Sequence, residues 1–139
     1  MPKTDLVSPP SHCALCPRRC GVDRAAGAVG FCGAGRTLKA ARAALHFWEE
    51  PCISGTRGSG TVFFSGCTLK CCFCQNYPIS AEGLGREITV ARLAEIFLDL
   101  QAQGAHNINL VTPGQWRPWI IAALDLARAQ GIIKGYKTL

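Results

Sequence analysis

Histidine, methionine and acidic residues are scarce in this chain, which has three His, one Met and nine Asp plus Glu among 139 residues. His46 and His106 have no partners at metal-ligand spacing, so they are assigned no function. No stretch approaches the roughly 18 uninterrupted apolar residues of a membrane span. The opening Met1 to Pro10 lacks the apolar block of a secretory signal. Together these absences predict a cytoplasmic protein with no membrane partner. The shortage of acids leaves a formal net charge of +6. The basic residues are spread rather than striped, so nucleic acid is not expected as a partner. No internal repeat is long enough to suggest a solenoid.

What the chain has instead is cysteine, nine in all. Their number is odd and their spacings are tight, which in a reducing compartment points to metal or redox chemistry rather than disulfides. Cys67, Cys71 and Cys74 stand at C-x3-C-x2-C in the run Gly66 to Asn76, with no obvious local fourth ligand. A structural zinc site takes four protein ligands and is closed. Three thiolates packed this tightly suit an iron–sulfur cluster with one iron left open. A second set, Cys13, Cys16, Cys20 and Cys32, gives four candidate ligands within twenty residues, with Gly21, Gly30 and Gly33 permitting tight turns. It suits a closed four-thiolate site holding either zinc or a second iron–sulfur cluster, since thiolates suit both. His12 adjoins Cys13 and could substitute as a ligand or simply be exposed. Arg18 and Arg19 lie inside this set, where positive charge offsets thiolate charge. Cys52 and Cys72 read as small buried hydrophobes.

Residues 1–11 read as a flexible tail rich in Pro and Ser. Residues 12–60 read as a cysteine-rich segment and connector. Its knot, 12–35, has so little hydrophobic periodicity that a metal would have to hold it together. Leu38 to Trp48 suits a short helix or strand, and Ile53 to Gly60 an approach loop. From Thr61 the pattern becomes alternating strand and helix. Thr61–Ser65 and Ile108–Thr112 read as strands. Thr89 can cap a helix whose apolar face is Val90, Leu93, Ala94, Phe97 and Leu100, stopping at Gly104. Pro118 suits the first turn of another, running through Ile121, Leu124 and Leu126 towards Gly131. Such alternation implies a parallel sheet. Two strands cannot make a stable one. The run Ile132 to Leu139 adds no complete unit, so the reading is the front part of a larger barrel.

The C-x3-C-x2-C spacing with Phe73 before its last cysteine, directly after a strand, resembles the radical S-adenosylmethionine superfamily. The wording from Phe63 to Tyr77, with Ile53 to Gly60 before it and Asn107 to Pro113 after it, is similar to one branch, the proteins related to the pyruvate formate-lyase activating enzyme. That resemblance implies an α/β fold forming the N-terminal part of a partial (β/α) barrel over 61–139, preceded by the small cysteine-rich metal-binding segment. It implies that Cys67, Cys71 and Cys74 hold a [4Fe–4S] cluster whose fourth iron chelates S-adenosylmethionine. Reductive cleavage would then give methionine and a 5′-deoxyadenosyl radical for hydrogen abstraction, as in glycyl-radical activating enzymes. Phe73, Gln75, Asn76 and Thr112 become candidate cofactor-binding residues, though Gln75 and Asn76 suit loop residues equally well. The implied partners are a one-electron reductant of the flavodoxin or ferredoxin type and a hydrogen donor that can be a protein. Trp116 and Trp119 suit core packing or adenine stacking. The competing readings are a non-catalytic iron–sulfur electron carrier, a zinc-binding module, and an inactive truncated product.

Overall fold

A computed structural model describes residues 7–48, 51–131 and 136–138. The two longest helices follow from sequence pattern and capping. Thr89 is extended, and its hydroxyl accepts the Arg92 N–H at 3.0 Å, opening α3 (Val90–Ala102). Val90, Leu93, Ala94, Phe97 and Leu100 are its buried residues, and Gly104 at φ 90° turns the chain away. Pro118 lies in the first turn of α4 (Arg117–Ala129), where the missing N–H costs no hydrogen bond. The buried stripe of α4 is Trp119, Ile120, Ala123, Leu124 and Ala127, whereas Ile121 is exposed.

These helices pack on each other, and α3 packs on β1 (Lys39–His46), β2 (Ser59–Phe64) and β4 (Ile108–Val111). Val62, Phe64, Ile108 and Leu110 face the helices as one buried cluster. Each such side chain contributes roughly 1.5–3 kcal/mol by leaving water. Strand alternation sends Ser59, Thr61 and Phe63 of β2, with Asn109 and Val111 of β4, to the other face. That face is markedly more polar.

The sheet has five strands in the order β3-β1-β2-β4-β5, with β3 at Arg86–Glu87 and β5 at Tyr136–Thr138. β2, β4 and β5 are parallel, but β1 runs antiparallel to both β2 and β3. This mixed sheet overturns the expected partial (β/α) barrel. The protein is a small α/β fold in which an antiparallel pair completes the sheet. The physical reason lies in the connector. The helical turn α1 (Pro51–Ser54) is too short to carry the chain over a sheet face, so β1 folds back beside β2. The charged pair Arg86 and Glu87 forms the exposed edge, which discourages pairing with other chains.

One open alternative is resolved and two smaller expectations change. The segment that suits either helix or strand by its pattern is the strand β1, and the approach loop holds the end of α1 and the start of β2. The expected flexible tail is partly built in, because Val7 is buried and the Pro10 carbonyl accepts the N–H groups of Arg24 and Ala25. The remainder of that tail, residues 1–6, lies outside the described residues, as do residues 132–135 and 139 of the terminal run.

Candidate metal and cofactor site

The Cys67 loop begins where parallel strand β2 ends, the place where α/β sheets bind ligands. Ser65 N–H donates to the Lys39 carbonyl at 3.0 Å, and Gly66 then turns the chain at φ 84°. A Cβ on Gly66 would lie 2.3 Å from the Cys32 carbonyl oxygen, so only glycine lets the two cysteine segments meet here. They are also joined directly, with Cys67 N–H donating to that carbonyl at 3.3 Å. Beyond it, Cys74 N–H closes a turn on the Cys71 carbonyl, and the Asn76 carbonyl accepts the N–H groups of Ile79 and Ser80 to start α2 (Tyr77–Ser80). Two of the three sulfurs accept hydrogen bonds at 3.4 Å, Cys67 Sγ from Leu69 N–H and Cys74 Sγ from the Ser80 hydroxyl.

The carboxyl end of β4 forms the facing wall. Thr112 holds φ 52°, uncommon for a β-branched residue, and its hydroxyl donates to the Phe64 carbonyl at 3.1 Å. Gln115 is buried; its Nε2 donates at 3.1 Å to both Ser65 and Gly66 carbonyls, while Trp116 Nε1 donates to Ser65 at 2.9 Å. A cavity of about 580 Å³, within the size range of small-molecule sites, is bounded by Cys67, Thr112, Pro113, Gln115 and Ile120. Among the described residues, the non-glycine positions with positive φ are Arg19, Lys70 and Thr112. Two lie inside the cysteine loops and the third shares the cavity with Cys67.

The predicted cofactor residues do not gather in one place. Thr112 borders the Cys67 cavity, Gln75 and Asn76 line a different cavity with Arg42, His46 and Phe63, and Phe73 is 86% exposed. Cys52 and Cys72 are exposed rather than buried, because α1 and the Cys67 loop turn them outward. Trp116 and Trp119 are core residues, packed edge to face with ring centroids 5.3 Å apart. His12 is exposed, and the His106 Nε2 accepts the Arg57 N–H at 3.2 Å.

The N-terminal knot has no regular secondary structure. It is pinned by paired bonds, Cys13 N–H to the Val22 carbonyl at 3.0 Å and Gly21 N–H to the Cys13 carbonyl at 2.9 Å. Cys13, Cys16, Cys20 and Cys32 line one small cavity, together with Arg24 and Gln115. The Arg18 guanidinium lies over the Phe31 ring at 3.5 Å, and its Nε–H donates to the Thr68 carbonyl. Arg18 therefore reaches from one cysteine segment to the other.

None of the nine cysteines is joined to another in a disulfide. Among the described residues, no three Cys, His, Asp or Glu side chains are already drawn together as a metal-binding group. The chemistry of the donors nevertheless fits. The Cys67 loop offers three thiols with two hydrogen-bonded sulfurs, and hydrogen bonds to sulfur are among the features that tune iron–sulfur clusters. Sequence reasoning missed Arg24, Gln115 and Ser80. Arg24 had the one available signal, a lone arginine between the candidate ligands Cys20 and Cys32.

Among the described residues, no helix is long and apolar enough to cross a membrane. No family model matches the chain, and no solved structure matches it. A stretch of 69 residues is 39% identical to an uncharacterised protein of Methanocaldococcus jannaschii, covering 50% of this chain and 19% of that protein. The match thus spans about a fifth of that relative's length.

Proposed function

We propose that the chain is a radical S-adenosylmethionine protein in which Cys67, Cys71 and Cys74 hold a [4Fe–4S] cluster. The observation that carries this reading is three free thiols at C-x3-C-x2-C, in the loop leaving parallel strand β2, beside a cavity walled by Thr112 and Gln115. When bound, the cluster and S-adenosylmethionine supply a one-electron cleavage that yields methionine and a 5′-deoxyadenosyl radical for hydrogen abstraction.

The chain's own residues hold and shape that site. The Leu69 N–H and the Ser80 hydroxyl donate to the Cys67 and Cys74 sulfurs and so hold those two side chains in place. Gln115 fixes the two carbonyls before Cys67, so the loop leaves β2 in one direction. Thr112 is held in an unfavourable backbone conformation by its bond to Phe64, and such strain clusters at ligand sites. The proposed partners are a one-electron reductant of the flavodoxin or ferredoxin type and a hydrogen-donor substrate, of small-molecule or protein class.

The test is anaerobic cluster reconstitution of the chain, then reduction in the presence of S-adenosylmethionine. The expected product is 5′-deoxyadenosine, abolished by Cys71→Ala. A reconstituted cluster that never yields 5′-deoxyadenosine would refute the proposed reaction.

A further inference from the structure

We infer that Cys13, Cys16, Cys20 and Cys32 form a single-ion zinc site whose counter-charge is the buried guanidinium of Arg24. This inference stands apart from the reading of the Cys67 loop and is tested without it.

The first observation concerns size. The four cysteines line one small cavity. A closed site for a single ion is the smallest demand that four thiolates make on such a space. The donor set agrees, since four thiolates suit a closed tetrahedral zinc. The knot is also shaped around a sulfur. A Cβ on Gly30 would lie 2.7 Å from Cys20 Sγ, so the bare glycine backbone makes the hollow in which that sulfur sits.

The second observation is independent of the cysteines. Arg24 is only 1% exposed. Its Nε donates to the Gly35 carbonyl at 2.8 Å and its Nη1 to the Gln115 carbonyl at 2.7 Å. The guanidinium lies over the rings of Trp116 at 4.9 Å and Trp119 at 4.7 Å. Its Nη2 has no partner, and no carboxylate pairs with Arg24 among the described residues. A buried cation left without an anion is strongly unfavourable. Arg24 lines the same cavity as the four cysteines. Four thiolates around a divalent ion, their protons released to solvent on binding, carry a net charge of about −2. That is the anion Arg24 lacks. Arg18 and Arg19 are exposed and can balance part of the same charge less directly.

The chain, stripped of metal anaerobically in the presence of reductant, is titrated with zinc against a chromophoric chelator. Free thiols are then alkylated and mapped by mass spectrometry. One zinc is expected at this site, protecting Cys13, Cys16, Cys20 and Cys32, while Cys52 and Cys72 react. Cobalt at the same site should show thiolate-to-metal charge-transfer absorption. Arg24→Met should weaken zinc binding by about ten- to a hundredfold, the usual effect of removing a group that supports metal ligands. Circular dichroism checks the fold of each variant. Should Arg24→Met fail to fold, Arg24→Lys decides, because it keeps the charge and loses the planar fork, so it should weaken binding less than about tenfold. The inference is overturned if protection falls on other cysteines, if the segment takes up an iron–sulfur cluster in place of zinc, or if a folded Arg24→Met binds zinc as the unaltered chain does. A folded Arg24→Lys that no longer binds zinc would also overturn it.

Discussion

Replacing Gly66 with alanine should cost far more than replacing a glycine of similar backbone conformation elsewhere. Gly66 has φ 84°, and an alanine there incurs about 1–2 kcal/mol from the left-handed conformation alone. Its Cβ would stand 2.3 Å from the Cys32 carbonyl oxygen, well inside the 3.0 Å below which real Cβ contacts essentially never occur. The obstacle is backbone, so no side-chain rotation relieves it. Pushing the Cys32 peptide away breaks its bond from Cys67 N–H and strains the Gln115 bond to the Gly66 carbonyl, at about 1 kcal/mol each. The sum is about 3–4 kcal/mol, a large part of the roughly 5–15 kcal/mol typical of a domain. For a chain of this length that corresponds to a fall in Tm of roughly 12 °C or more. Gly83 provides the comparison, with φ 69° and nothing within 4 Å of where an added methyl would sit. Gly83→Ala should therefore lower Tm by only about 4–8 °C, the conformational part alone. Thermal unfolding of both variants by circular dichroism measures the difference. Equal shifts would refute the claim that the two cysteine segments meet through a glycine-only contact.

Two further substitutions probe the supporting fold. Thr89→Ala removes the hydroxyl that accepts the Arg92 N–H and should destabilise the chain by about 1 kcal/mol, read as a lower midpoint in urea with an unchanged slope. Asn109 is fully buried with both amide atoms unpaired, so Asn109→Leu should raise stability by about 1 kcal/mol in the same assay; a loss of that size would show that the amide has a role in the fold.

The helices and the central parallel pair were legible because periodicity and capping act locally. Thr89, the stripe from Val90 to Leu100, and Pro118 each state their structural role within a few residues. β1 was not legible. Its sequence, Lys39 to His46, is largely alanine and has no alternating apolar face, so only pairing with β2 decides that it is a strand. The exposure of Cys52 and Cys72 escaped for a similar reason, since a thiol reads as a small hydrophobe until its loop is placed. Arg24 is the sharpest case. Composition makes an arginine an exposed residue by default. Its burial depends on Trp116 and Trp119, distant in sequence, coming to lie beneath it.

The strand whose type the sequence pattern leaves open is also the one that brings the two cysteine segments together. The knot ends immediately before β1, and the Cys67 loop starts immediately after β2. Because β1 is antiparallel to β2, its first residues lie beside the last residues of β2, as the pairing of Ala40 with Phe64 shows. A parallel first strand would have placed the knot at the opposite end of β2, roughly 20 Å away at strand rise. The Cys67 bond to Cys32, the Arg18 reach to Thr68 and the Arg24–Gln115–Gly66 chain of hydrogen bonds all depend on that reversal. The mixed sheet that replaces the expected barrel is therefore what brings the two cysteine-rich segments into contact. It also makes the order of the Cys67 loop dependent on the integrity of the knot.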